Sequence, residues 1–471
     1  MNKLRFITVI CLLTVTQFIS AQGDEKWTLE KCVDYAFKNN IQVRQAQLSS
    51  QVSGNENLQS KLNLLPSVDG NINFSNNFGN GFNPQTYSFA EGTSQSLQAS
   101  LQGTLPVFTG LQQIFNIERT KYDLLASKYD FENAKNNVAL SVASSYLQVL
   151  LNKEILNVAQ KQKELTELQR ATIAAKIRNG ALPETSAYEV ESQLGRDEAN
   201  IVAAQNAVDL SLLALRQLLQ ITDGKFDVDA PEVNVDNIEN LASVSSQSVY
   251  EYALGNQPSI KSAEARVKSA NSSRKISIGA LSPTIAVFGT LSTGYFSQDK
   301  KVTGYTTQVD SSLGFPIPYK SAIYGDKSFS EHLSNNFRKA VGVSMNIPLF
   351  SKWQRVTNIQ NAKLQLQIRE LQLEGNKNQL RQDIELAYTN AKAAVQSYLA
   401  NNKSVLSAQK SYDAFDKRFG AGLLGNFELQ QSKNALALSQ SEMIKAKYTY
   451  VFRLKVLDFY QGKPLTLSNS K

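Results

Sequence analysis

The sequence predicts an internally duplicated chain that combines a membrane β-barrel with a long α-helical barrel. Three observations predict it: residues match at two fixed offsets, four strand-length stretches alternate in polarity, and proline-free helical runs exceed the needs of any compact domain.

The duplication comes first. Tyr35-Ala36 matches Tyr252-Ala253, Val43 matches Ile260, Ala46 matches Ala263, and Pro66-Ser67-Val68 matches Pro283-Thr284-Ile285, all at an offset of 217. Pro106-Val107-Phe108 then matches Pro348-Leu349-Phe350, and Tyr146, Gly180, Leu182, Leu194, Ala204, Leu212 and Leu215 find their counterparts at an offset of 242. The 25-residue jump falls between Pro283 and Pro348, so the second copy carries a longer loop there. The expected layout is a first repeat at 22–220, a linker at 221–247, a second repeat at 248–461 and a tail at 462–471.

Each repeat reads as helix, two strands, long helix, shorter helix. Residues 28–64 hold helix formers and stop at Pro66, which cannot continue a helix. Strands are expected at 66–78, 96–108, 283–297 and 337–350. In the first, Val68, Gly70, Ile72 and Phe74 alternate with Asp69, Asn71, Asn73 and Ser75. Each strand has about the 9–11 residues a tilted strand needs to cross a bilayer. Residues 79–96 and 299–336, rich in Gly, Asn, Ser and aromatics, read as loops. Phe108, Phe350 and Trp353 gather at the strand–helix boundary, as an interfacial girdle would; ordinary surface packing is the alternative.

Long helices are expected at 111–178 and 353–418, shorter ones at 184–220 and 426–461. About 68 residues make a rod of roughly 100 Å. Their composition, rich in Gln, Asn, Ser, Ala, Lys and Glu with a narrow apolar seam, suits the wall of a hollow bundle, although long soluble coiled coils share it. Four strands cannot close a barrel, and an open edge is not tolerated in lipid. Three chains would supply twelve strands.

The N-terminus pairs Lys3 and Arg5 with an apolar run, Phe6–Ile19, and then Ser20-Ala21, which reads as a secretory signal peptide over 1–21. A retained anchor is the alternative. Ile10 precedes Cys11, against lipidation there. Cleavage would leave Cys32 as the sole cysteine, and a buried apolar thiol is the expected role. The net charge of +8 is spread along the chain without a basic block, so no nucleic-acid partner is expected.

Chemistry is sparsely supplied. The chain has one histidine, His332, and lacks any phosphate-cradling Gly-rich loop with a Lys, which argues against metal centres, Ser-His or Cys-His catalysis and nucleotide hydrolysis. Asp223, Asp227, Asp229 and Asp236 lack the Gly and terminal Glu of a calcium loop and read as a polar connection. Neither a cofactor nor an enzyme is expected.

The chain resembles the TolC family of outer-membrane efflux and secretion ducts along nearly its whole length past residue 21. Carrying the resemblance are Trp27-Thr28-Leu29-Glu30, Tyr35-Ala36, Asn40 and Ala46, the Pro66 and Pro283 strand entries, and Pro106-Val107-Phe108-Thr109-Gly110 with Pro348-Leu349-Phe350. The segments Lys176–Leu182 and Arg418–Leu424 are similar to the family's helical-hairpin turns. The resemblance implies a homotrimer with a twelve-stranded barrel in outer-membrane lipid and a twelve-helix tunnel in the periplasm. It also implies a periplasmic adaptor and an inner-membrane pump as partners, with 221–247 and 462–471 in a belt about the tunnel. The implied function is a passive exit channel of a tripartite efflux or type I secretion system; a periplasmic coiled-coil scaffold is the alternative.

By the same resemblance an acidic ring lines the aperture six and nine residues after the second hairpin glycine. Those positions hold Glu428 and Gln431, and their first-repeat equivalents are Ser186 and Glu189, so each repeat offers one acid instead of two. Glu428 also suits the dipole of a helix that begins at Asn426, which needs no gate. Gly180 and Gly422 fit left-handed turn positions, and the tips Arg178, Gly180, Leu182 and Arg418, Gly422, Leu424 are the expected adaptor contacts.

Overall fold

A computed structural model describes residues 26–83, 88–222, 226–231, 245–312, 314–463 and 465–466. The expected signal peptide, Asp223, Asp236, most of the linker and residues 467–471 lie outside these. The chain divides into two compact units. One comprises Met1–Val52, Leu125–Ala265 and Leu371–Lys471, and the other Ser53–Leu124 and Arg266–Glu370.

The duplication extends to element lengths. Helices α1 (Leu29–Asn39) and α5 (Ser246–Asn256) have 11 residues each, and α2 (Ile41–Leu62) and α6 (Pro258–Gly279) have 22. The long helices α3 (Gln112–Arg178) and α8 (Gln354–Gly420) have 67 each, and α4 (Thr185–Leu219) and α9 (Asn426–Tyr460) have 35. Left-handed backbone positions repeat as well. Gly110/Lys352, Leu111/Trp353, Gly180/Gly422 and Gln220/Gly462 all have positive φ and are 242 residues apart.

The single helix expected over 28–64 is instead two. Asn40 leaves the helical region with ψ 131°, its Oδ1 accepts from Gln42 N at 2.9 Å, and its Nδ2 donates to Leu218 O at 3.0 Å. The side chain thus ends α1, caps α2 and fixes the break against α4. In the second repeat Gln257 breaks the chain in the same way, and Pro258 starts α6 at the first helical position, where its missing N–H is harmless.

The helical unit has a core of Leu29, Cys32, Ala36, Val138, Val142, Tyr146, Leu150 and Leu215, joined by Tyr450 and Val451 from the second repeat. Trp27 forms a parallel bridge with Val228 and packs edge-on against Tyr35 and Phe226 at 5.1 and 5.4 Å. Tyr146 Oη donates to Asp229 O at 2.6 Å, and burial holds the phenol far above its usual pKa. Asp227 and Asp229 therefore belong to a structural strap tied to Trp27, Tyr146 and Lys153. Asp227 is paired with Lys153 at 2.5 Å.

The other unit contains a four-stranded antiparallel sheet ordered β1-β2-β3-β6, with β1 Ser67–Asn83, β2 Ser88–Phe108, β3 Thr284–Phe296 and β6 Arg338–Asn346. The register carries the alternation across every strand. Gly70, Leu101 and Leu291 share a face in line with Lys339, as do Val68, Gly103, Gly289 and Val341. The opposite face holds Asp69, Gln102, Thr290 and Ala340, then Asn71, Ser100, Ser292 and Arg338. One face is mainly apolar and the other mainly polar, with Lys339 at the outer end of the first and Phe288 within the second, a pattern that suits a lipid-facing wall around a wet lumen. Val341, Val343 and Met345 are 59–84% exposed in the isolated chain.

The expected loops are largely ordered structure. Residues 79–83 and 88–96 extend the β1–β2 hairpin, because alternation and Gly-Asn content suit a solvated ribbon as well as a loop. Within 299–336 stand β4 (Lys300–Asp310), β5 (Ile317–Asp326) and helix α7 (Phe329–Asn335), the last closed by a Ser328/Glu331 capping box. At the exit from β2, Val107 is the extra residue of a bulge beside Pro106. There the Gly110 turn lies against the end of α6 so closely that a Cβ on Gly279 would meet the Gly110 carbonyl.

Candidate functional site

The two hairpin tips are built alike. In the first, Gly180 N donates to Ile177 O at 2.9 Å and Ala181 N to Lys176 O at 2.8 Å. In the second, Gly422 N donates to Phe419 O at 3.1 Å and Leu423 N to Arg418 O at 2.9 Å. Both are Schellman closures with the glycine left-handed at φ 72° and 74°. The paired amides satisfy carbonyls that a 67-residue helix would otherwise leave open at its end.

Behind the turns lies a small core of Ile173, Val190, Phe419 and Leu429, against which Leu182 and Leu424 pack. Those two leucines are half-buried and hold the tip together. Arg178, Gly180, Arg418 and Gly422 are exposed, and so are Leu423 and Phe427 at 72% and 74%. Lys176 fastens one tip to the other: its Nζ donates to Phe419 O at 2.5 Å and stands 4.2 Å from the Phe419 ring centroid.

Asn426, the first residue of α9, is gripped by the other repeat. Gln169 Nε2 donates to its Oδ1 at 2.6 Å, and its Nδ2 donates to Glu189 Oε2 at 2.9 Å. Glu189 is thereby brought to the start of α9, on which Glu428 and Gln431 are also exposed. Glu428 sits in the first turn, where the helix dipole favours a carboxylate. Ser186 differs from these three. It is buried, at 7% exposure, where the other three are exposed.

Further along the same helices is a buried polar chain. Lys433, 1% exposed, donates to the Thr166 hydroxyl, which donates in turn to Asp197 Oδ2; Gln193 Nε2 donates to Asp197 Oδ1 at 2.7 Å. Three helices of both repeats meet at these groups. Burial lowers the Lys433 pKa to about 8, opposed by the nearby Asp197 charge. Taking out one partner would leave a buried charge uncompensated, which costs about 3–5 kcal/mol. The signal was present in the sequence: Lys433 occupies the apolar stripe between Leu429 and Leu436, a position a solvated lysine would not take.

Among the described residues no cluster of His, Cys, Asp or Glu could hold a metal ion, and no helix is long and apolar enough to cross a membrane. The sheet is the element with a lipid-compatible face. A family model for outer membrane efflux proteins matches residues 33–219 and 249–462, one span in each repeat. The chain belongs to that family. It is an exit duct of the outer membrane for efflux or secretion, and not an enzyme. Membership sets aside the soluble scaffold. The outer membrane efflux protein BepC of Brucella suis is 22% identical over 92% of this chain and 85% of its own length. The outer membrane protein TolC of Escherichia coli is 21% identical over 95% and 84%. The outer membrane channel CmeC of Campylobacter jejuni superposes with a TM-score of 0.71 at 17% identity, covering 94% of this chain and 87% of that one, a likeness of fold alone.

Proposed function

We propose that three copies of this chain form one duct, a twelve-stranded barrel in the outer membrane continued by a tunnel of twelve helices in the periplasm. The observation that carries this is the sheet itself. It has a mainly apolar and a mainly polar face, yet ends in two unpaired edges, β1 and β6. Lipid tolerates neither edge, so β6 of one copy pairs with β1 of the next until the ring closes. Eight strands from two copies would be filled by their own side chains, whereas twelve leave a channel.

The hairpin tips form the periplasmic entrance. Glu428, Glu189 and Gln431 line the aperture, and the repeated carboxylates favour cations and repel one another. Arg178 and Arg418, with the exposed Leu423 and Phe427, meet a periplasmic adaptor, through which an inner-membrane pump delivers cargo for a tripartite efflux or type I secretion system. The duct needs no energy source of its own. The span matched in each repeat supports reading both tips as equivalent halves of one entrance.

Planar-bilayer conductance of detergent-extracted trimers tests the reading, with Glu428→Ala alongside. Discrete channels whose cation selectivity falls in the variant are expected. Unchanged selectivity would remove Glu428 from the aperture, and a stable monomer by native mass spectrometry would overturn the trimer.

A further inference from the structure

The second repeat departs from the first at its outer end, where β4, β5 and α7 occupy the β3–β6 connection, the stretch in which this repeat is 25 residues longer. Charge pairs fix the base of this β4–β5 hairpin: Lys300 with Asp326 at 3.4 Å, Lys301 with Glu331 at 2.9 Å and Lys327 with Asp299 at 2.6 Å. Lys301 and the Ser328 amide hold the Glu331 carboxyl down to about 2. The base is therefore rigidly set on the connection into β6.

Above the base the hairpin lacks a core. By register, Val302, Tyr305 and Val309 share a face with Ala322, Pro318 and Tyr324. The four largest of these, Val302, Tyr305, Val309 and Tyr324, are 41–68% exposed. A lone two-stranded sheet is at best marginally stable in water, so a row like this needs a cover.

Topology says what can cover it. The hairpin lies in the β3–β6 connection, hence on the β6 side of the sheet, while β1 forms the other edge. The two edge strands are unequal: β1 has 17 residues and β6 has 9. When β6 of one copy pairs with β1 of the next, the outer part of β1 is left without a partner. The adjoining stretch of β2, Ser88–Gln95, also runs past the end of β3, which stops opposite Ser96. This bare outer ribbon carries Phe78, 78% exposed. In a cyclic assembly two different patches of each chain meet, and these two face one another across the same joint.

We propose that the β4–β5 hairpin of one copy clasps the outer end of the β1–β2 hairpin of a second copy, with the Tyr305–Val309 row against Phe78. This rests on the trimeric reading above, and extends it to a surface beyond the membrane. The clasp covers both an edge that β6 is too short to reach and an apolar row that the chain cannot bury alone.

A Phe78→Cys/Tyr305→Cys double variant tests it, joined with a short bis-maleimide in purified trimers; buried Cys32 does not compete. Covalent dimers and trimers on a denaturing gel are expected from the double variant and not from either single one. Native mass spectrometry reads the assembly separately. Trimers that yield only monomers after cross-linking overturn the clasp and leave the duct standing; a monomeric protein overturns both. Cross-linking by Tyr305→Cys alone would mean that the hairpins meet each other and also overturns it. As a second measurement, Tyr305→Asp/Val309→Asp, changing only exposed residues, is expected to lower the dissociation temperature of the trimer. No shift would count against the clasp.

Discussion

Phe288 lies across Gly342 on the neighbouring strand, so close that a Cβ on Gly342 would come within 2.6 Å of Phe288 Cζ. The two are register partners on the polar face of the sheet, where Phe288 is the single large ring in its row. Glycine gives the ring a seat on the backbone of β6, which explains an apolar residue where alternation calls for a polar one. Gly342→Val should unseat it and cost about 1–3 kcal/mol, Gly342→Ala less. The midpoint of the heat-induced gel shift of the assembled protein reads the difference, and Phe288→Ala in the Val background should recover part of the loss.

Glycines at the ends of the helices divide into two kinds. Gly279→Ala meets the Gly110 carbonyl, a backbone atom that cannot turn aside, and should sharply reduce folded protein in the outer membrane. Gly180→Ala meets open space, and its cost is the left-handed φ alone, about 1–2 kcal/mol. Immunoblots of membrane fractions at matched expression separate the two outcomes.

Lys433 makes the stability of the hairpin region depend on pH in the alkaline range. Its folded pKa of about 8 lies below the ordinary 10.5, so between those values the unfolded chain keeps a proton that the folded chain has lost. Stability therefore rises with pH across that window, by on the order of 2–3 kcal/mol, while below about pH 8 the cost of burying the charge is carried in full. Urea unfolding followed at several pH values should show the slope in the native protein and a flatter one in Lys433→Met.

Cys32 should be inert. It is fully buried, and desolvation pushes its thiol up to about 12, so little thiolate forms at neutral pH and none meets solvent. Maleimide at pH 7.5 should leave native protein unlabelled and label it once in denaturant, as mass spectrometry would record.

Asn426→Ala should loosen the first turn of α9 by freeing both Gln169 and Glu189. Two lost hydrogen bonds, one to a carboxylate, amount to about 2–4 kcal/mol. Under the proposed aperture, single-channel recordings should show longer open times than native protein. Unaltered recordings would leave Asn426 only a structural tie between the two repeats.

Much of this was legible in the residues because it rests on periodicity. Matching offsets carry into equal helix lengths, and alternation in Val68–Phe74 and Val341–Ile347 carries into a face that stays mainly apolar over four strands. What escaped notice depends on single contacts. The break at Asn40 needs a side chain whose partner, Leu218, is 178 residues away. Residues 299–336 lack long alternation, since the register slips between Val302 and Gly304, and so β4 and β5 passed for a loop. Ser186 resembles an aperture residue by position, and only packing reveals that it is buried. The Lys433–Thr166–Asp197 chain joins three helices from distant stretches that no local pattern connects.

The matched left-handed turns bear on how such a chain can change over generations. Gly110 in one repeat is Lys352 in the other, and Gly462 answers to Gln220, with the same backbone path kept in each case. Some corners of the architecture exist in two spellings within one gene, while Gly180 and Gly422 keep one. Both spellings keep the same backbone path, so the path tolerates more than one residue type. The acids at Glu189 and Glu428, in unmatched positions of the two halves, are the kind of divergence that such tolerance permits.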